Sequence, residues 1–251
     1  MIRDLGPFVP KRVSRLDPPI LAMLLNGLHD HQKGRVFVLH VGAGTGASGL
    51  PLFERFRDSG WSGLLIEPHS VNFARLEELH AQSDRVAVLN LGISDVSANL
   101  TLHALTSEAD SRYRRGPRGR ASLIRDRIAT PGMGEDDISS MEVPFLRMDT
   151  VLGELGIDSA QLVVINAGGH EAQVLGSFDL APLDPALVLV HSTPGTSGDE
   201  ACANTLSAAG FLPFRVGGWL TGVAPDRLSV PLEELLTFFQ RGLGAIQEDE
   251  E

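Results

Sequence analysis

Short apolar runs that stop at a glycine or a charged residue alternate along this chain with stretches whose apolar residues recur every three or four positions. A brief run that is apolar at nearly every position suits a parallel strand buried on both faces. Residues 35–41 (RVFVLHV), 63–67 (GLLIE), 85–91 (RVAVLNL), 161–166 (QLVVIN) and 186–191 (ALVLVH) read this way. Shorter strands are predicted over 100–104, 143–146 and 211–216, the last interrupted by a Gly-Gly turn. Helical spacing predicts helices over 20–29, 50–56, 71–79, 150–155, 171–175, 200–209 and 232–239. Asp17 before Pro18 fits a helix N-cap followed by a first-turn proline. Strand and helix alternate at the spacing of βαβ units, which predicts an α/β fold around a parallel sheet. No internal repeat or second domain stands out. The expectation is one domain over 1–251, with an arm and helix (1–34), an insertion (106–142) and a solvated, disordered acidic tail (247–251).

Composition narrows the classes. The chain has 251 residues, 43% hydrophobic, so a real core is within reach. No apolar run approaches the roughly 20 residues that span a bilayer, and the first residues lack the apolar centre of a signal peptide. No membrane partner and a cytoplasmic location are expected. The single Cys202 excludes an internal disulfide and a cysteine-rich zinc site; it reads as a small buried side chain. A formal net charge of −11 argues against nucleic acid as a partner. The local exception is the insertion, with Arg112, Arg114, Arg115, Arg118, Arg120, Arg125 and Arg127 followed by acids at 135–137. It is too long for a passive connection and reads as a lid or substrate loop. Arg112, Arg115 and Arg118 are the candidates for gripping an anionic acceptor through guanidinium forks; a solvated loop that pairs with its own acids is the competing reading.

The sharpest motif is VGAGTG, Val41 to Gly46, between a strand and a helix. Gly42, Gly44 and Gly46 let the backbone turn tightly and approach a ligand. Glu67 ends the second strand, 21 residues after Gly46. An acid there can accept both hydroxyls of a ribose, as nicotinamide cofactors and S-adenosylmethionine both require. No second mononucleotide-binding half follows, which separates the two.

The succession VFVLHVGAGTG, LLIEPHSVNFARLEEL, VAVLNLGISD, VPFLRMDTVLGELGI and LVVINAGGHEAQVL resembles the FkbM family of S-adenosylmethionine-dependent methyltransferases. The likeness runs from about Arg35 to Gly217, and the EP-x-x-x-N-F-x-x-L run from Glu67 to Leu76 is its most specific part. It implies a Rossmann-like class I methyltransferase: a seven-stranded, mainly parallel sheet with helices on both faces. It also implies mostly O-methylation of sugars, lipids or secondary metabolites. Residue by residue, it implies that Gly42, Ala43, Gly44 and Gly46 hold the methionine part of the cofactor, with His40 beside it. Glu67 would take the ribose, with Pro68 and His69 next to the adenine and Asn90, Leu91 and Gly92 bordering it. The chain departs from the family at the fourth strand. Where a lysine, an aspartate and a glutamate are usual, it has Val164, Asn166 and Gly168. His40 and His191 stand where acids are common.

Methyl transfer to oxygen needs alignment, exclusion of water and a proton acceptor. Of eight histidines, His40, His69, His170 and His191 fall at or near strand carboxyl ends, the edge where ligands bind in open α/β sheets. His170 is the first candidate for general base and His191 the second; local hydrogen bonding is the bland reading of both. Asn166 is a third site residue, presenting its backbone carbonyl to the sulfonium. No metal is expected, because the natural oxygen ligands are missing from the fourth-strand motif. Three readings stay open: an active small-molecule methyltransferase, a cofactor-binding but inactive structural or regulatory partner, and a nucleotide- or NAD-dependent enzyme. Phe238 and Phe239 on the last helix pack on the sheet or form a homodimer surface.

Overall fold

The computed structural model describes residues 17–46, 50–113 and 120–230. The N-terminal arm, the helix expected over 232–239 with its possible dimer surface, and the acidic tail lie outside the described residues. The chain runs through α1 (Asp17–His31), β1 (Phe37–Val41), α2 (Leu52–Asp58), β2 (Ser62–Ile66), α3 (Ser70–His80) and β3 (Val86–Leu89). Then come β4 (Gly92–Ile93), β5 (Ala98–Leu105), α4 (Ser107–Arg112), β6 (Ala121–Ser122) and β7 (Ile138–Leu146). The third stretch is α5 (Met148–Leu155), β8 (Leu162–Ile165), α6 (Glu171–Leu175), α7 (Leu180–Leu183), β9 (Leu187–His191), α8 (Ser197–Ala208), β10 (Leu212–Val216) and β11 (Trp219–Val223).

Seven strands form one sheet in the order β10-β11-β9-β8-β1-β2-β3. Every neighbouring pair is parallel except those made by β11, which is antiparallel to both β9 and β10. This is the mainly parallel seven-stranded α/β sheet expected. The membership differs from the expectation in one respect. The strands predicted over 100–104 and 143–146 belong to β5 and β7, which pair along their whole length in a separate four-stranded sheet, β4-β7-β5-β6. Burial shows why: much of β5 and β7 is exposed, as in a hairpin with one solvated side, whereas β8 is buried at every position. The seventh strand of the main sheet is instead β11. Gly217 and Gly218, read as an interruption, form the turn between β10 and β11.

Period-two alternation sends the strands' side chains into two separate layers. Leu39 and Val41 of β1, with Val163 and Ile165 of β8, pack beneath α5, α6 and α8 through Met148, Val174 and Leu206. Val38 and Val164 face the opposite way, toward α1, α2 and α3. Helix α1 presents Leu21, Leu24, Leu25 and Leu28 to this second layer, spaced as one helical face. The layer also encloses Trp61, whose indole N–H donates to His29 Nδ1 at 3.0 Å. The helix thus lies on the sheet. Cys202 is buried in the first layer, where desolvation pushes its thiol up to about 12.

Two consequences are measurable. His40 lies opposite Leu65 and Val164, on the α1 face of β1, and burial pushes its pKa down to about 4. Above the usual imidazole value of about 6.5, neither folded nor unfolded chain holds the proton. Between that value and 4, the unfolded chain binds a proton that the folded one refuses, so stability falls as pH falls. The loss attributable to His40 is roughly 3 kcal/mol by pH 4. Urea unfolding between pH 7.5 and 4.5 should show a much shallower decline for His40→Leu than for wild type; equal slopes would refute the assignment. The second concerns Gly42, which has a φ of 72° and whose added Cβ would lie 2.0 Å from the Asn166 carbonyl oxygen. Gly60 has the same φ with open space around it. Gly60→Ala should therefore cost about 1–2 kcal/mol in urea unfolding, the backbone strain alone. Gly42→Ala should cost at least about 2 kcal/mol more, since backbone must move.

Candidate active site

The carboxyl ends of β1, β2 and β8 converge on a cavity of about 300 Å³, closed on its other side by the four-stranded sheet and its connections. At one end sits Glu67, 4% exposed. Its Oε2 accepts from Gly44 N at 2.8 Å, and its Oε1 accepts from His69 N at 3.0 Å and, more loosely, from Asn72 Nδ2 at 3.4 Å. Desolvation raises its pKa against the pull of those three donors. The buried carboxylate is thus incompletely compensated, and Oε2 keeps acceptor capacity beyond its single internal donor. Asn90 fixes the backbone beneath it, donating to Glu67 O at 2.9 Å and Pro68 O at 3.3 Å.

The loop after β8 forms the floor. Asn166 N donates to Val41 O at 2.9 Å, which ties the loop to the end of β1. Glu171, in the first turn of α6 and 5% exposed, turns back, and its Oε1 accepts from both Ala167 N (3.1 Å) and Gly169 N (2.9 Å). His170 stands between them. Its Nε2 lies 2.9 Å from Ser94 Oγ, and Ser94 Oγ donates to Asp95 Oδ1 at 3.0 Å. A hydroxyl already donating to a carboxylate can only accept from the ring, so the proton sits on Nε2 and Nδ1 carries the lone pair. Desolvation lowers the pKa of His170, opposed by the charges of Asp95 and Glu171. His191 ends β9 at the rim, with its ring edge-to-face on Trp219 at 5.0 Å between centroids. Its pKa is also lowered by desolvation, which outweighs the nearby Glu171.

The cavity wall thus brings together the predicted Gly42, Gly44, Glu67, Pro68, Leu91, Gly92, Asn166, His170 and His191. It does not include His40, Ala43, Gly46, His69 or Asn90. His40 faces the α1 layer because strand alternation turns it away from the loop that follows. Gly46 backs onto Leu76 and Leu79 of α3, where a Cβ would come within 2.8 Å of both. His69 and Asn90 act through the Glu67 segment, His69 by its backbone N–H. Of the three arginines expected to grip an acceptor, one lies among the described residues. Arg112 binds Asp137 at 3.0 Å, so that arginine serves the loop's own acidic stretch. Arg115 and Arg118 lie outside the described residues. Arg120 and Arg127, which the sequence reading did not select, line the cavity together with Asn72, Ser122, Glu171 and Thr193. Glu171 had a sequence signal: an acid two residues after a Gly-Gly pair, at a helix start where free N–H groups collect. Among the described residues no group of three or more histidine, cysteine, aspartate or glutamate side chains is placed to hold a metal ion, and no helix is long and apolar enough to cross a membrane.

Comparison with known proteins places the chain. No curated protein matches it. Among solved structures, it is similar to an FkbM methyltransferase from Methylobacillus flagellatus KT, with 13% identity and a TM-score of 0.46 over 76% of this chain. The chain spans 44% of that protein's length. It is also similar to a precorrin-6y C5,15-methyltransferase from Geobacter metallireducens GS-15 (10% identity, TM-score 0.42, 89% of this chain and 96% of that one). A third is a SAM-dependent methyltransferase from Geobacter sulfurreducens in complex with S-adenosyl-L-homocysteine (12%, 0.34, 81% and 66%). The model of the methyltransferase FkbM domain matches residues 40–213, more than half of the chain. This chain belongs to the FkbM-domain methyltransferase family.

Proposed function

We propose that the protein is an S-adenosylmethionine-dependent methyltransferase that methylates a hydroxyl of a small molecule, in secondary metabolism or glycan modification, in the cytoplasm. The observation that carries the reading is the under-compensated carboxylate of Glu67, buried beside the glycine loop at the carboxyl edge of the sheet. A ribose diol offers the donors that this carboxylate lacks. Glu67 would hold the ribose through Oε2, which has one internal donor, and Oε1, whose contact with Asn72 is long. Gly42 and Gly44 line the cavity beside it, Pro68, Leu91 and Gly92 offer the apolar wall for the adenine, and Asn166 forms the floor. The bound cofactor supplies an electrophilic methyl group on sulfur.

The chain's own residues supply the rest. The Ser94–Asp95 pair holds the His170 ring by Nε2 and leaves Nδ1 to take a proton from an acceptor hydroxyl. Such a base supports oxygen as the nucleophile, since a hydroxyl, unlike a neutral amine, gains greatly from losing its proton as it attacks. His191 at the rim remains a second acceptor.

Calorimetry with S-adenosylhomocysteine should give saturable binding to wild type, weakened at least tenfold, about 1.4 kcal/mol, by Glu67→Ala. Folded wild type that binds none would refute the proposal. With an acceptor found by screening hydroxylated small molecules, His170→Ala should lower kcat by about 10²–10⁴-fold without weakening the cofactor product. Normal cofactor binding with no transfer to any acceptor would favour an inactive, regulatory member of the family. Because burial lowers the His170 pKa, the base stays neutral below the ordinary imidazole range. The pH–kcat profile should hold flat through neutrality and fall on the acid side only below about 6.5. Loss of rate already at pH 7 would exclude His170 as the base.

A further inference from the structure

The wall opposite Glu67 is made by the insertion, and it carries two arginines. Strand β6 rests on the loop after β8: Ser122 Oγ donates to Gly168 O at 2.7 Å and accepts from Ile124 N at 2.9 Å. A Cβ on Gly168 would come within 2.9 Å of Ala121 O, and one on Gly169 within 2.4 Å of Arg127 Nε. The Arg127 side chain therefore lies against bare backbone next to His170, with Nη1 donating to Thr193 Oγ1 at 3.2 Å. Arg120 lines the same cavity, and its Nε is buried without a hydrogen-bond partner among the described residues. An N–H of a guanidinium is costly to bury unmet, so this one calls for an acceptor.

Four other arginines of this part of the chain are each matched with an aspartate: Arg112, Arg147, Arg215 and Arg227. Among the described residues, Arg120 and Arg127 take part in no ion pair. The two acids that share their cavity, Glu67 and Glu171, make no ion pair with either arginine; they accept from backbone N–H groups and, for Glu67, from Asn72. Two guanidinium groups thus line the cavity with no direct carboxylate partner among the described residues, and one of them keeps a buried N–H unmet.

We propose that Arg120 and Arg127 form an anion-binding subsite, which takes the carboxylate or phosphate of a small acceptor and presents its hydroxyl to His170. Two forks fit the several coplanar or tetrahedral oxygens of such a group. The role as acceptor subsite rests on the methyl-transfer reading; the anion binding does not.

Calorimetric titration with inorganic phosphate, and separately with benzoate, onto the full chain saturated with S-adenosylhomocysteine tests it. At least one should bind saturably near or below about 1 mM, and the better of the two names the anion class. Arg127→Gln and Arg120→Gln should each weaken that binding at least tenfold, Arg127→Lys less, and Arg112→Gln not at all. Thermal unfolding checks that the variants fold. Arg127→Lys, which keeps charge and length but loses the fork, carries the test if the glutamine variants do not. Wild type that binds neither anion, or binding that all the variants leave unchanged, would overturn the subsite. If the cofactor product binds and the anions do not, the subsite falls and methyl transfer stands. If the anions bind without it, the reverse holds.

Discussion

The site depends on one buried carboxylate, that of Glu171. Glu171 turns back from the first turn of α6 and accepts the N–H groups of Ala167 and Gly169. The five residues between β8 and α6 are thereby held, although two of them are glycines with φ of 61° and 103°. Glycines lose the most entropy on ordering, and a loop built of them needs a local anchor. A buried acid with two backbone donors is a strong one. From this brace follow the position of His170, the seat for β6 on Gly168 and the seat for Arg127 on Gly169. The same loop is tied to β1 through Asn166, so the Glu67 side and the His170 side of the cavity share one floor.

The seat of β6 on this loop bears on one of the three positions at which the chain departs from its family at the fourth strand. A glutamate is usual where Gly168 stands. Here the Ala121 carbonyl lies 2.9 Å from where even a Cβ would go. The space that an acidic side chain would need is filled by the backbone of the insertion. Loss of the acid at Gly168 and packing of the insertion on that residue are therefore one structural change seen from two sides. Cationic charge reaches the cavity from the insertion, through Arg120 and Arg127, rather than from the sheet.

The main sheet was legible because buried parallel strands write themselves as continuous apolar runs, and five of the seven did so. The glycine loop and Glu67 were legible for a related reason: their spacing along the chain is set by the βαβ geometry itself. What failed to show was whatever depends on contacts between distant segments. The strand β11 hid behind a Gly-Gly turn. The runs at 100–104 and 143–146 carried the right residues for strands but no mark of which sheet they join. Seven arginines crowded into one segment looked alike, and only folding distinguishes Arg112, matched with Asp137, from Arg127, laid across Gly169.

His40 and His170 show where this limit lies. Both sit near a strand's carboxyl end, and by position alone both qualify for chemistry. His40 is within the strand, so alternation assigns it to the α1 layer, where burial strips its basicity and leaves it as a neutral filler beside Leu65 and Val164. His170 lies past the strand, where alternation no longer applies and the braced loop sets direction. Its neutrality has the same cause, desolvation, but a different use, because Ser94 and Asp95 supply it with a defined tautomer. The difference between a silent histidine and a candidate base is therefore not its pKa alone. It lies in whether a second polar group, brought from another part of the chain, fixes which nitrogen holds the proton.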